Sequence, residues 1–258
     1  MHDVPIIIVG GIPIDLSAVL MLVVTSVIVF VLCMLGVRNL SVENPGRIQN
    51  FMEWIVEFVQ GIIGSAMDLK KGKPYISLAI TLILFIFVAN LLGLPFAVIT
   101  HAHHEESIFG FVIEATRNLA EGQYADLLWW KSPTADINIT LGLAMVVFLV
   151  IHIMGMKTNT KHYFKHYLEP FPIFLPINII ENLSKPISLA IRLFANIFAG
   201  EVLIYVILKL KFASIPFLAL WQGFSLFVGA LQAFIFVMLT MVYIAQATVH
   251  EEEPGAAH

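Results

Sequence analysis

The segment SKPISLAIRLFANIFAGEVLIYVIL, Ser184–Leu208, is apolar almost throughout, yet Arg192 stands in its middle. An arginine facing lipid costs roughly 2.5–3.5 kcal/mol on insertion scales, so this one needs a polar surrounding or a partner. On a helix each residue advances by about 100°. Asn178, Glu181, Lys185, Ser188 and Asn196 then fall on the Arg192 face. Polar groups at this depth face a cavity or other helices. Glu201 points to the opposite side, and Gln232 lies mid-way along the next apolar run with Ser225 and Tyr243 on its own face. Gln232 is placed to meet the Arg192 stripe if the two segments form a hairpin.

The chemistry these types suggest is ion movement. A guanidinium keeps its charge at physiological pH, whereas a buried lysine readily loses it. Arginine is therefore a poor proton carrier and a dependable electrostatic gate: it keeps a partner carboxylate ionised and interrupts a cation path. Glu201, which can titrate, is the better relay candidate. Blander readings stand beside these. Arg192 is a structural charge if Glu181, Glu201 or backbone carbonyls satisfy it. Lys185 and Glu181 have the spacing of an ordinary i,i+4 pair. Gln232, and Asn90 in an earlier span, have the character of polar glue between helices.

The elements that must position these residues are membrane helices. The chain has 258 residues, of which 59% are hydrophobic and only 12% charged, against about 25% charged in soluble domains; the mean hydropathy is +0.89. Lipid is the solvent for such a chain. Five runs reach the roughly 20 apolar residues that a span needs: 16–37, 75–100, 137–156, 174–210 and 215–249. The first is too long for a signal-peptide core and lacks its basic flank, so it reads as a retained span. The fourth, at about 1.5 Å per residue, would reach roughly 55 Å across a core of about 30 Å. It must bend at Pro186 or incline steeply, and with the fifth it forms a slanted hairpin. Between the first two spans, Phe51, Trp54, Ile55, Phe58, Ile62 and Ile63 recur at helical spacing with Glu53, Glu57 and Gln60 between them. That pattern predicts an interfacial amphipathic helix over 43–68. The expected fold is an all-α integral membrane protein with five transmembrane helices in one membrane domain, 1–258.

Lysine and arginine counts set the orientation. Arg38, Arg47, Lys70, Lys71, Lys73, Lys157, Lys161 and Lys165 lie in the loops before spans two and four, against Arg117, Lys131, Lys209 and Lys211 in the opposite loops. The richer side is cytoplasmic, which places the N-terminus outside and the C-terminus inside. The net charge of −4 offers nothing to a nucleic acid, and the single cysteine, Cys33, excludes an internal disulfide. The stretch HAHHEE (His101, His103, His104, Glu105, Glu106) follows a span in a loop and lacks a helical ligand motif such as H-E-x-x-H. His162 and His166 sit among lysines and read as a solvated face. The sequence carries no phosphate-binding glycine loop, nucleophile elbow or zinc pattern. No metal, no cofactor and no covalent chemistry are expected.

Four segments carry a resemblance. KPISLAIRLFANIFAGEVL (185–203), SPTADINITLGLA (132–144), FVANLLGLPF (87–96) and LQAFIFVMLTMVYI (231–244) resemble, in the same order, segments of subunit a of bacterial F-type ATP synthases, the stator of their membrane sector. The resemblance runs from the second span to near the C-terminus. It implies a non-catalytic, proton-translocating subunit of the bacterial plasma membrane, with a rotating subunit c ring and the subunit b peripheral stalk as partners besides lipid and protons. It further implies two offset aqueous half-channels to the ring carboxylates, with Arg192 as the residue that prevents a proton short circuit. Asn196, Glu201 and Gln232 match positions near that pathway, and Asn90 matches a half-channel position. The chain departs from the family pattern at Asn178, where some members have a carboxylate, and at Gly93, where some have an aspartate. It departs again at Ala195, which replaces glycine, and at Ser225, which replaces a titratable residue.

Three rivals remain at this stage. A self-contained secondary transporter would use Arg192 to bind an anion, although such transporters often show internal repeats and this sequence shows none. A membrane-embedded metal enzyme would use the His101–Glu106 cluster and retain zinc. A structural scaffold would transport normally without Arg192.

Overall fold

The computed structural model describes residues 3–38, 40–94, 99–102, 107–108, 111–116, 125–168, 175–210 and 214–248. The protein is helical, with short strands outside the long helices. The helices are α1 (Leu16–Val37), α2 (Arg47–Ala66), α3 (Leu69–Gly72), α4 (Ile76–Leu92), α5 (Ile137–Leu168), α6 (Leu175–Leu208) and α7 (Ser214–Thr248). Among the described residues five helical stretches are long and apolar enough to cross a membrane: Leu16–Val37, Leu69–Leu92, Ile137–Lys157, Pro176–Leu208 and Ser214–Thr248.

Two differences from the expected spans have local causes. The second span was expected to run to Thr100, but α4 ends at Leu92 and Ile99–Ala102 forms a strand, β3. Gly93 ends the helical run there, and Pro95 follows. The fourth span needs no break at Pro186, which lies inside the continuous α6. The proline leaves the Asn182 carbonyl without its usual backbone donor. Two compact units can be distinguished in the chain, each assembled from separate segments.

The first unit comprises Met1–Leu32, Phe85–Ile139 and Ala195–Ala230. A hairpin, β1 (Ile6–Val9) with β2 (Ile12–Asp15), precedes α1. Its two-residue turn is Gly10–Gly11 with φ of 59° and 85°, the left-handed conformation such a turn requires. Between α4 and α5, β3 pairs antiparallel with Ala125–Leu128. There Ala102, Ile113, Ala125 and Leu127 bury one another under Ile108, Ala115 and Trp129. The backbone of Asp3 is stitched to the same sheet through Asp126 and Leu128.

The second unit comprises Cys33–Leu84, Thr140–Phe194 and Leu231–His258. Here α2 buries Ile55, Val59, Ile62 and Ile63, and Phe58 meets Phe234 of α7 with ring centroids 5.8 Å apart. The core continues through Leu189, Ala190 and Leu193 of α6 and Phe236, Val237, Met241 and Ile244 of α7.

Candidate functional site

In the first unit a cavity of about 260 Å³ is lined by Asn90, Asn196, Glu201, Trp221 and Ser225, among others. The structure thus brings together three residues singled out from sequence, Asn90 of α4 with Asn196 and Glu201 of α6. The segment before α5 holds them from one side. The Ser132 amide donates to Glu201 Oε1 (3.3 Å), and the Thr134 hydroxyl donates to Asn90 Oδ1 (2.7 Å). Asn90 Nδ2 donates to the Gly229 carbonyl of α7 (3.1 Å). Ser132 Oγ lies 2.9 Å from the Ala89 carbonyl and 2.7 Å from Thr134 Oγ1. Two hydroxyl hydrogens therefore serve three close contacts, and one contact is without a hydrogen in any arrangement. Asn90, Ser132 and Thr134 are all buried.

Space for this network comes from a glycine. A Cβ at Gly93 would lie 2.6 Å from Ser132 Cβ and 3.1 Å from its backbone nitrogen. In this chain Ser132 fills the space that a side chain at position 93 would need. Trp221 Nε1 donates to the Gly200 carbonyl and Gln222 Nε2 to that of Leu94, framing the cavity. Ser225 Oγ is buried with no hydrogen-bond partner among the described residues. A buried hydroxyl is rarely left so, and at about 30 Å³ per molecule the adjoining cavity has room for several waters.

In the second unit Gln232 is only 2% exposed, within α7. On α6, Glu181, Ser188 and Arg192 are exposed, and Asn178 and Lys185 half-buried, while Leu189, Ala190 and Leu193 are buried. The polar stripe is therefore not the face on which α6 packs. Lys185 Nζ lies 3.4 Å from Glu181 Oε1 and 5.6 Å from the centroid of the Tyr243 ring. The i,i+4 pair thus forms. Arg192 makes no salt bridge among the described residues.

Ser132 and Thr134 lie in a segment that carries the family resemblance but were not singled out there, and Trp221 and Gln222 carry no signal in the sequence; only the fold gives these four a place at the cavity. His101 lies on β3, where Nδ1 is 2.7 Å from Asp126 Oδ1. His103, His104, Glu105 and Glu106, and the side chains of His162 and His166, lie outside the described residues.

Fold and site together define a multi-pass, predominantly helical membrane protein with polar side chains gathered among its long helices. The ATP synthase A chain family matches residues 19–245, and the chain belongs to that family. An ATP synthase subunit a of Bacillus velezensis is 43% identical over 267 residues, covering 97% of this chain and 99% of the relative. Those of Anoxybacillus flavithermus and Staphylococcus epidermidis are each 44% identical, over 259 and 240 residues. The former alignment covers 97% of this chain and 99% of the relative, the latter 90% and 89%.

Proposed function

We propose that this chain is the proton-translocating stator subunit of an ATP synthase membrane sector, itself non-catalytic, and that Arg192 prevents a proton short circuit past a rotating subunit c ring. One observation carries the reading most directly. Arg192 is exposed on an apolar helix and has no salt bridge among the described residues. A lipid-facing charge is too costly to leave unanswered, so its partner belongs to another chain, and a ring carboxylate answers it. An anion site within a self-contained transporter would instead close around the guanidinium.

In this reading the cavity at Asn90, Asn196, Glu201 and Ser225 is the wet end of the outer half-channel, and Glu201 relays protons to the ring. Asn178, Glu181, Lys185 and Ser188 line the inner one, with Gln232 supporting the region from α7. Helices α6 and α7 then lie as a slanted hairpin against the ring, since about 50 Å of helix exceeds an upright span. The exposed Phe51, Trp54 and Phe58 of α2 rest at the membrane surface. Subunit b of the peripheral stalk is the remaining partner. The excess of lysine and arginine in the loops before α4 and α6 orients the N-terminus outside a bacterial plasma membrane and the C-terminus inside.

The test is ATP-driven acidification of inverted membrane vesicles carrying wild-type or Arg192→Ala protein, with assembly verified in both. Loss of pumping together with passive proton leakage in the variant is expected. Equal pumping would reduce Arg192 to a structural charge and end this reading.

A further inference from the structure

The starts of α1 and α5 are joined by one lysine. Asp15 caps α1: its Oδ1 accepts the amides of Ser17 (2.9 Å) and Ala18 (3.2 Å) and the Ser17 hydroxyl (2.6 Å). Asp136 does the same for α5, its Oδ1 accepting the Asn138 amide (2.8 Å). Each carboxylate keeps its second oxygen for Lys131, whose Nζ lies 2.5 Å from Asp15 Oδ2 and 3.9 Å from Asp136 Oδ2. The three side chains are only 12%, 13% and 14% exposed. Exposed pairs contribute little, but charges withdrawn from water are screened much less. Removing the lysine would leave two largely buried carboxylates without the cation they share.

The lysine's position in the chain matters as much as its charge. The next residue is Ser132, whose amide donates to Glu201 and whose hydroxyl lies on Ala89 and Thr134. The backbone thus links the lysine to Glu201 through one intervening residue.

We propose that Lys131 is a positioning residue for proton transfer at Glu201. By tying the capping carboxylates of α1 and α5 together it fixes the Ser132 amide on Glu201. The inference rests on the reading of Glu201 as a proton relay.

The experiment compares ATP-driven acidification by assembled complexes carrying Lys131→Met, Lys131→Arg, Glu201→Gln and the Lys131→Met/Glu201→Gln pair. Lys131→Met should lower the pumping rate several-fold, and Lys131→Arg should recover most of it. In the Glu201→Gln background the further loss from Lys131→Met should vanish, because the group being positioned is gone. Equal losses with and without the Glu201 carboxyl would mean a merely structural lysine and overturn the proposal. So would wild-type pumping by Lys131→Met alongside a slowed Glu201→Gln, which leaves the relay reading intact. Wild-type pumping by Glu201→Gln would instead remove the relay reading and this proposal with it. Should Lys131→Met fail to assemble, Lys131→Gln, which keeps a donor for Asp15, is read in the same way.

Discussion

Replacing Gly93 by alanine tests the cavity's construction through one atom. The new Cβ would lie 2.6 Å from Ser132 Cβ, 3.1 Å from its nitrogen and 3.2 Å from its Cα. Carbon atoms rest at roughly 3.5–4.0 Å, so the segment must retreat by about 1 Å. Cβ, nitrogen and Cα all keep their places when a side chain changes rotamer, so a rotamer change cannot relieve the contact. The Ser132 amide already sits 3.3 Å from Glu201 Oε1, and such a retreat takes it out of hydrogen-bonding range. Overpacking of this kind costs about 1–3 kcal/mol and a lost hydrogen bond about 1 kcal/mol more. Gly142→Ala is the control, since an added Cβ there meets nothing within 4 Å. Thermal inactivation of the purified complex and proton flux in vesicles are measured side by side. Gly93→Ala should inactivate at lower temperature and pump more slowly than both wild type and control. If it matches the control in both assays, the close approach of Ser132 to α4 is not a feature of the working protein.

Thr134→Val keeps shape and removes the hydroxyl that serves Asn90 Oδ1, leaving a buried acceptor unpaired at a cost of about 1–3 kcal/mol; Thr134→Ser should restore stability in the same denaturation assay, and a wild-type stability for the valine variant would contradict the network. For α2, Trp54 is 62% exposed and stacks on Phe58 at 6.0 Å. In a variant keeping Trp54 as its sole tryptophan, fluorescence should be quenched by lipids brominated near the headgroup, and quenching only by bromines deep in the acyl chains, or by none, would refute an interfacial α2.

How far the sequence reaches is clear from particular residues. Long helices are legible because hydrocarbon demands runs of about 20 apolar residues, and α1, α6 and α7 begin and end within a few residues of the apolar runs. Arg192 and Glu201 stand out because a charge inside such a run is costly enough to need a reason. Asn90 belongs with Glu201, but only the fold says so, since it lies more than a hundred residues away on α4 and reaches the site through Thr134 and Ser132. Those two hydroxyl residues are ordinary in a polar segment ahead of a helix. The strands between α4 and α5 are hidden for a related reason: Ile99–Ala102 prolongs an apolar run, and the buried set Ala102, Ile113, Ala125 and Leu127 comes from segments too short to show a period.

The packing of α6 also constrains what its partner can be. Ser188, Ala195 and Ala199 are exposed beside Arg192 and Asn196, whereas Leu189, Ala190 and Leu193 are buried. Small residues on a membrane helix permit close backbone approach, and large ones hold a neighbour away. A lipid chain gains nothing from that relief and cannot compensate a guanidinium. A second helix gains from both, provided that it brings an acceptor to the arginine's depth. That acceptor has to leave again, because a permanent buried pair would be a structural brace, and a fixed charge that never changes protonation can act repeatedly only on groups that come and go. On the function proposed above, an exposed Arg192 with no salt bridge among the described residues, beside Ser188 and Ala195, suits a sliding contact with a succession of carboxylates.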